Sequence, residues 1–253
     1  MKLNVQAIFD SIDGEENAFG GAGQLTTFIR LKGCQLQCNY CDTKYAQNPK
    51  PENWMSIDEI IQQVHFPKVT ITGGEPLMQK EGVEELCNKL TYYLNNDHYS
   101  EVSIETNGSI VPTYFGQATR YVIDYKLPSS GMTKHMKSST FYALRYCDVI
   151  KFVISDEEDY EYAKRQIQMH LCWGAKKVFS PALSILHYES ICKKCNGHEV
   201  HDGKCYNCGT KASTRFDMSW PRQLAEMMIR DKISAQFSLQ LHKILWPGAK
   251  EER

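Results

Sequence analysis

Leu25-Thr-Thr-Phe-Ile-Arg-Leu31 runs through Lys32-Gly33 straight into Cys34-Gln-Leu-Gln-Cys38-Asn-Tyr-Cys41-Asp42-Thr43. A β-branched and aromatic run bounded by glycine reads as a strand, so three thiols follow directly on its carboxyl end. The same form recurs: a short apolar run ends in glycine, polar or charged residues, and a helical pattern follows. The further candidate strands are Val69–Thr72, Val102–Thr106, Tyr121–Tyr125, Val149–Ile154 and Lys177–Ser180. Ser56 and Glu59 form a capping box ahead of Ile60, Ile61 and Val64. Glu81–Asn95 carries Val83, Leu86, Cys87, Leu90 and Leu94 at helical spacing. Asp156 with Glu157, Glu158 and Asp159 places negative charge on a helix start. Strands alternating with helices predict an α/β fold with a parallel sheet. A doubly wound sheet and an open barrel of six βα units both fit, and both bind ligand at the carboxyl ends of the strands. There lie the cysteine group, Gly73-Gly74-Glu75-Pro76, Glu105-Thr106-Asn107-Gly108 and Lys126.

The 253 residues are 42% apolar and 23% charged, in the range of globular proteins. A net charge of -1 gives no global attraction to nucleic acid or anionic membrane. No apolar run approaches the roughly 20 residues that span a bilayer, and Met1–Asn17 alternates apolar with polar residues instead of carrying a signal core. The expected location is therefore a reducing cytoplasm, where ten cysteines point to metal or redox chemistry before disulfides. Seven fall into two groups, and Cys87, Cys147 and Cys172 read as small buried hydrophobes.

Three thiolates on one loop suit a 4Fe–4S cluster with one iron left open, and a zinc site completed by a distant histidine is the alternative. The C-x3-C-x2-C spacing, with Tyr40 before the last cysteine, resembles the signature of radical S-adenosylmethionine (SAM) enzymes. Thr72-Gly73-Gly74-Glu75-Pro76 is similar to that superfamily's GGEP segment. The glycines are expected to let backbone approach the ligand, and Glu75 to attract or brace a cationic group.

Further stretches resemble the 7-carboxy-7-deazaguanine synthase family: Phe9–Glu16, Phe28–Cys34, Cys41-Asp42-Thr43, and Gln240-Leu241-His242-Lys243 with Pro247. The resemblance implies an open partial (β/α)6 barrel and conversion of 6-carboxy-tetrahydropterin to 7-carboxy-7-deazaguanine with loss of ammonia. It also implies an electron donor such as flavodoxin and a homodimer. Carried over, Cys34, Cys38 and Cys41 would hold the cluster, and Tyr40, Asp42, Gly74, Glu75, Asp124, Tyr125, Lys126 and Ser180 would contact SAM. Arg30 would bind the substrate carboxylate, and Thr43 would ligate Mg²⁺. Ile12, Asp13, Gly14, Glu15, Thr72, Glu105, His242 and Pro247 would line the pterin. By residue type alone, Arg30 and Lys126 also suit solvated strand ends, Thr43 a helix cap, and His242 a core histidine. The family's Gln-Gly-Glu-Gly reads Asp13-Gly14-Glu15-Glu16 here, and Asp13 accepts hydrogen bonds but cannot donate them.

After Leu183 the regular pattern breaks. Cys192-x2-Cys195-x9-Cys205-x2-Cys208, with Gly197 and Gly209 beyond each pair, has the spacing of a tetrahedral structural zinc site. An auxiliary iron–sulfur cluster is the alternative. The expected division is a radical SAM core over 1–191, a zinc-ribbon insertion over 192–212 and a completing segment over 213–253. A helix is expected to resume near Ser219 with Pro221 in its first turn, ahead of a last apolar segment, Phe237–Trp246. Lys193, Lys194, Lys204, Lys211 and Arg215 against Glu199 and Asp202 leave a small local positive excess, read as a solvated lobe and not as a nucleic-acid surface. The rival functions are a glycyl-radical activase acting on a protein, and a non-catalytic nucleic-acid binder built on the ribbon.

Overall fold

Each parallel strand splits its side chains between two faces, because successive residues point oppositely. In the computed structural model, residues 1–16, 19–93, 101–115, 119–170, 174–183, 188–191, 194–195, 200–201, 204–205, 207–210, 213–216 and 218–246 are described. The first part of the chain runs β1 (Lys2–Ile12), β2 (Leu25–Leu31), α1 (Lys44–Gln47), β3 (Trp54–Ser56), α2 (Ile57–Ile61), β4 (Lys68–Gly73) and α3 (Lys80–Tyr93). It continues with β5 (Glu101–Thr106), β6 (Thr119–Asp124), α4 (Ser138–Tyr142), β7 (Val149–Ile154), α5 (Glu157–Met169) and β8 (Lys176–Pro181). Then follow β9 (Tyr188–Ile191), β10 (Val200–His201), β11 (Lys204–Cys205), β12 (Ser213–Phe216), α6 (Ser219–Asp231), β13 (Gln236–Phe237) and α7 (Leu241–Leu245).

The main sheet has the order β13-β8-β7-β6-β5-β4-β2-β1-β3. From β2 to β8 each parallel strand lies beside its predecessor. A doubly wound sheet reverses its order at a switch point. None occurs here, so right-handed crossovers place the helices on one face. The sheet is an open partial barrel, as the resemblance implies. Three strands outside the expected six extend it: β1 and β3 pair antiparallel at one edge, and β13 pairs parallel at the other.

The helix-covered face holds the core. Val69, Ile71, Val102, Ile104, Ile123, Ile150, Phe152 and Phe179 pack with Ile60, Val83, Leu86, Leu90, Tyr160, Ala163, Leu224 and Met228. Helix starts are chemically marked. Ser56 caps α2 in a full capping box, and Asp156 caps α5 by accepting from the Asp159 amide at 2.8 Å. Pro221 sits buried in the first turn of α6. Cys87 is fully buried as expected, whereas Cys147 is only half-buried, and Cys172 lies outside the described residues.

The other face carries Thr70, Thr72, Ser103, Glu105, Asp124, Lys151 and Ser180 from β4 to β8, with Val122, Val149 and Val178 forming a small separate apolar group. Beyond β1 the chain crosses this polar face: Asp13 pairs with Lys68 of β4, Glu15 with Lys151 of β7, and Glu16 with Lys176 of β8.

Candidate active site

The cysteine loop is closed at its base by backbone. Gly33 N–H donates to the Ala46 carbonyl at 2.8 Å, and Cys34 N–H to that of Gln47 at 3.0 Å. Asn39 ties the loop to a neighbouring turn, its amide donating to Ser130 and its side chain to Ser129. The loop holds Cys34, Cys38 and Cys41 within each other's electrostatic reach, as free thiols. Burial raises the Cys34 and Cys38 thiols above their ordinary range. Among the described residues no three Cys, His, Asp or Glu groups converge on one point.

The glycine pair at the end of β4 also has a structural purpose. A Cβ on Gly73 would stand 2.1 Å from the Leu31 carbonyl oxygen, and one on Gly74 would stand 2.1 Å from that of Gly33. Backbone of the cysteine strand fills the space, so these glycines seat the two strand ends against each other. Glu75 is fully buried. Its Oε1 accepts from the Leu77 amide and the Thr106 hydroxyl at 2.9 and 2.7 Å, and its Oε2 from the Asn107 amide at 2.7 Å. It braces the ends of β4 and β5 together, and Asn107 in turn donates to Cys34 Sγ at 3.5 Å.

Across the polar face the charges alternate. Lys126 Nζ lies 2.8 Å from Asp124 Oδ2, Lys151 Nζ 3.3 Å from Asp124 Oδ1 and 2.8 Å from Glu15 Oε2, and Ser180 Oγ donates to Glu15 Oε1 at 3.1 Å. Burial works against the Glu15 charge, but the Lys151 ammonium outweighs it and holds the carboxyl below its ordinary range. Burial likewise opposes the Lys126 charge, and Asp124, with Cys38 and Tyr40, more than restores it. Glu105 accepts from the Thr72 hydroxyl at 2.8 Å. Burial, reinforced by Asp13 and Glu15 against the opposing Lys151, pushes Glu105 up to about 7. His242 is held below its ordinary range, chiefly by burial. Its ring lies so close to Gly14 that an added Cβ would stand 2.1 Å from Nδ1. Leu241 N–H donates to the Gly14 carbonyl at 2.7 Å, fastening α7 to this segment.

Arg30 lies over the rings of Phe9 and Tyr45, 5.4 and 5.8 Å from their centroids, and its buried Nε has no hydrogen-bond partner among the described residues. The Tyr40 hydroxyl is likewise buried and unpartnered. Buried donors left open at a strand-end loop carrying three thiols fit a polar ligand bound beside a cluster. Thr43 heads α1 without making a side-chain cap, and its hydroxyl lies 3.6 Å from Cys41 Sγ. Asp42 pairs with Lys243 of α7 at 2.9 Å.

Two expected SAM contacts stand elsewhere. The Tyr125 ring points into the helix layer between Phe141 and Phe152, its hydroxyl donating to Gln166, because strand alternation turns it away from its neighbours Asp124 and Lys126. Ser180 joins Glu15, on the side of the expected pterin residues. Lys151 and Lys68 were missed. The signal for Lys151 was a lone cation inside the apolar run Val149-Ile-Lys-Phe-Val-Ile154. Ile12 ends β1 opposite Leu25, and Pro247 lies outside the described residues.

In the second cysteine region, β9 and β12 pair antiparallel with Ile191 opposite Ser213. β10 and β11 pair antiparallel, with Val200 opposite Cys205. Cys195 lies exposed in a turn, and Cys208 precedes Gly209 at φ 64. Cys192 and the Cys205 side chain lie outside the described residues. No helix among the described residues is long and apolar enough to cross a membrane.

Residues 28–124 match the model of the radical SAM superfamily. The chain is 34% identical over 255 residues to the 7-carboxy-7-deazaguanine synthase of Clostridium acetobutylicum, covering 97% of both chains. It is 34% identical over 256 residues to that of Chlorobaculum tepidum, covering 98% of this chain and 96% of the other. Its fold is similar to the crystal structure of QueE from Escherichia coli, with a TM-score of 0.62 at 18% identity over 96% of this chain and 95% of that one. Superfamily membership implies an iron–sulfur cluster and SAM. Near-complete coverage at this identity, with the cysteine loop and braced GGEP segment at adjacent strand ends, shows that the chain belongs to the 7-carboxy-7-deazaguanine synthase family of radical SAM enzymes.

Proposed function

We infer that this enzyme is a lyase converting 6-carboxy-5,6,7,8-tetrahydropterin to 7-carboxy-7-deazaguanine with release of ammonia, in 7-deazaguanine and queuosine biosynthesis. The observation that carries this reading beyond family membership is Arg30: a guanidinium steadied by two aromatic rings, its buried Nε unpartnered, at the entrance to the cysteine loop. Such a planar donor suits the substrate's carboxylate.

A cluster and SAM bound here would supply radical hydrogen-abstraction chemistry. Cys34, Cys38 and Cys41 hold the cluster, and Tyr40, Asp42, Asp124, Lys126 and the Gly74 backbone surround SAM. Glu15, Thr72, Glu105 and His242 orient the pterin, with Ile12–Gly14 and Pro247 at its edge. A Glu105 carboxyl titrating near 7 can present either an acceptor or a donor to the pterin's amide edge. Thr43, whose hydroxyl caps no helix, offers an oxygen to Mg²⁺. The four ribbon cysteines hold structural zinc in a lobe of residues 192–212, inserted between 1–191 and 213–253. The enzyme works in the cytoplasm as a homodimer, reduced by a donor of the flavodoxin kind. A glycyl-radical activase needs no small-molecule carboxylate receptor, and a nucleic-acid binder needs no cluster loop. Anaerobically reconstituted protein given reductant, SAM and 6-carboxy-tetrahydropterin is expected to yield the deazaguanine absorbance and mass. Cleavage of SAM with no such product defeats the substrate assignment.

A further inference from the structure

Lys151 belongs to none of the motifs that mark this family in the sequence, yet its ammonium stands at the centre of the polar face. It lies mid-strand between the fully buried Ile150 and Phe152, with its own side chain 9% exposed. A buried ammonium persists only where carboxylates balance it. Glu15 Oε2 and Asp124 Oδ1 do so at 2.8 and 3.3 Å. The other oxygen of each carboxylate is engaged as well, Glu15 by Ser180 and Asp124 by Lys126. A row, Lys126–Asp124–Lys151–Glu15–Ser180, therefore runs from the end of β6 across the middle of β7 to β8. One end borders Cys38 and Tyr40, and the other lies at the Asp13–Glu16 segment. Glu105 from β5 and His242 from α7 face the same ammonium at longer range.

The row joins two groups of residues that the reading above separates. Asp124 and Lys126 stand on the SAM side, and Glu15 on the pterin side. Glu15 is held at both oxygens, by the Ser180 hydroxyl and the Lys151 ammonium, and Lys151 is its charged partner.

We propose that Lys151 is a positioning residue: it holds the Glu15 carboxylate charged and in a single orientation at the pterin pocket, and ties it to the Asp124–Lys126 pair beside SAM. This rests on the substrate assignment made above. The test uses cluster-loaded enzyme and compares wild type with Lys151→Met, Lys151→Arg, Glu15→Gln and the double variant Glu15→Gln/Lys151→Met. Truncating one partner of a buried charge pair predicts that Lys151→Met raises KM for 6-carboxy-tetrahydropterin about thirtyfold or more. It is also expected to release 5′-deoxyadenosine in excess of deazaguanine, because SAM is cleaved without a correctly held substrate. Lys151→Arg is expected to recover most of the coupling.

A merely structural lysine would lower the yield of loaded enzyme but leave KM and the product-to-deoxyadenosine ratio per cluster unchanged, and that result overturns the proposal. If Lys151→Met does not fold, the double variant decides, since it leaves no unpaired carboxylate at Glu15. Its KM is expected to match that of Glu15→Gln alone, and a KM well above that value overturns the proposal. Wild type that binds no pterin defeats the substrate assignment, and the proposal falls with it. Active wild type with unaltered Lys151 variants defeats the proposal alone.

Discussion

A carboxylate only 2% exposed needs a cation, and Asp13 has the Lys68 ammonium 2.9 Å away. The departure from the family's glutamine at this position is thus matched by a lysine at the start of β4. Lys68→Met strands the buried charge and is expected to cost about 3–5 kcal/mol, and adding Asp13→Asn is expected to recover most of it. Urea unfolding of the anaerobic protein measures both. Glu105 gives a pH signature. Its folded-state value is raised from 4.5 to about 7, so the folded chain binds this proton more tightly than the unfolded one. The wild type therefore loses stability from Glu105 ionisation as pH rises between those values, and the loss is complete above the upper one. Glu105→Gln lacks this cost, so its stability relative to wild type should rise by about 3 kcal/mol in all as pH passes through that window. A constant difference from pH 5 to 8 would refute the assignment. At Gly74 the constraint is steric: an alanine methyl would meet the Gly33 carbonyl oxygen at 2.1 Å. Backbone must shift to admit it, so Gly74→Ala is expected to lower iron incorporation, read as iron per chain after reconstitution.

The helix α5 supports the cysteine loop at a distance. Asp159 is fully buried, and its oxygens accept from the Ser129 and Ser155 amides, both at 3.0 Å, and from the Ser129 hydroxyl. That fixes the turn at Pro128–Ser130, whose carbonyls hold Asn39 between Cys38 and Tyr40. From sequence, Asp159 read only as one of four acids at a helix start. Its anchoring role depends on a turn thirty residues earlier in the chain. Asp159→Ala keeps the Asp156 cap but frees the turn. It is expected to bind iron with less than full occupancy and to lose its 4Fe–4S absorbance faster in air than wild type. Unchanged decay would show that the loop holds its shape without α5. The strands themselves were legible because apolar runs broken by glycine admit few other readings. β1 was not, since Leu3-Asn-Val-Gln-Ala-Ile8 alternates like a strand but pairs antiparallel only once β2 is beside it. β13 is too short to announce itself.

For the molecule as a whole, the two cysteine groups forecast two metals of opposite temperament. Cys195→Ser with Cys208→Ser is expected to abolish zinc binding while leaving the 4Fe–4S spectrum of the core intact, and air is expected to strip iron before zinc. Loss of both metals together would show that the ribbon and core fold as one unit. Periodicity by itself determined six strands and placed the three thiols at a strand end, because side-chain alternation and thiol spacing are local properties of the chain. It could not choose between a doubly wound sheet and an open barrel, since strand order is set by which neighbour each crossover packs against. Nor could it place Tyr125 in the helix layer, give Glu75 to Asn107, or bring Glu15 to Lys151 across 136 positions of sequence. Those pairings form only when the tail of β1 crosses the polar face. There, loss of water makes each buried charge demand a partner, and only the tertiary structure decides which one is within reach.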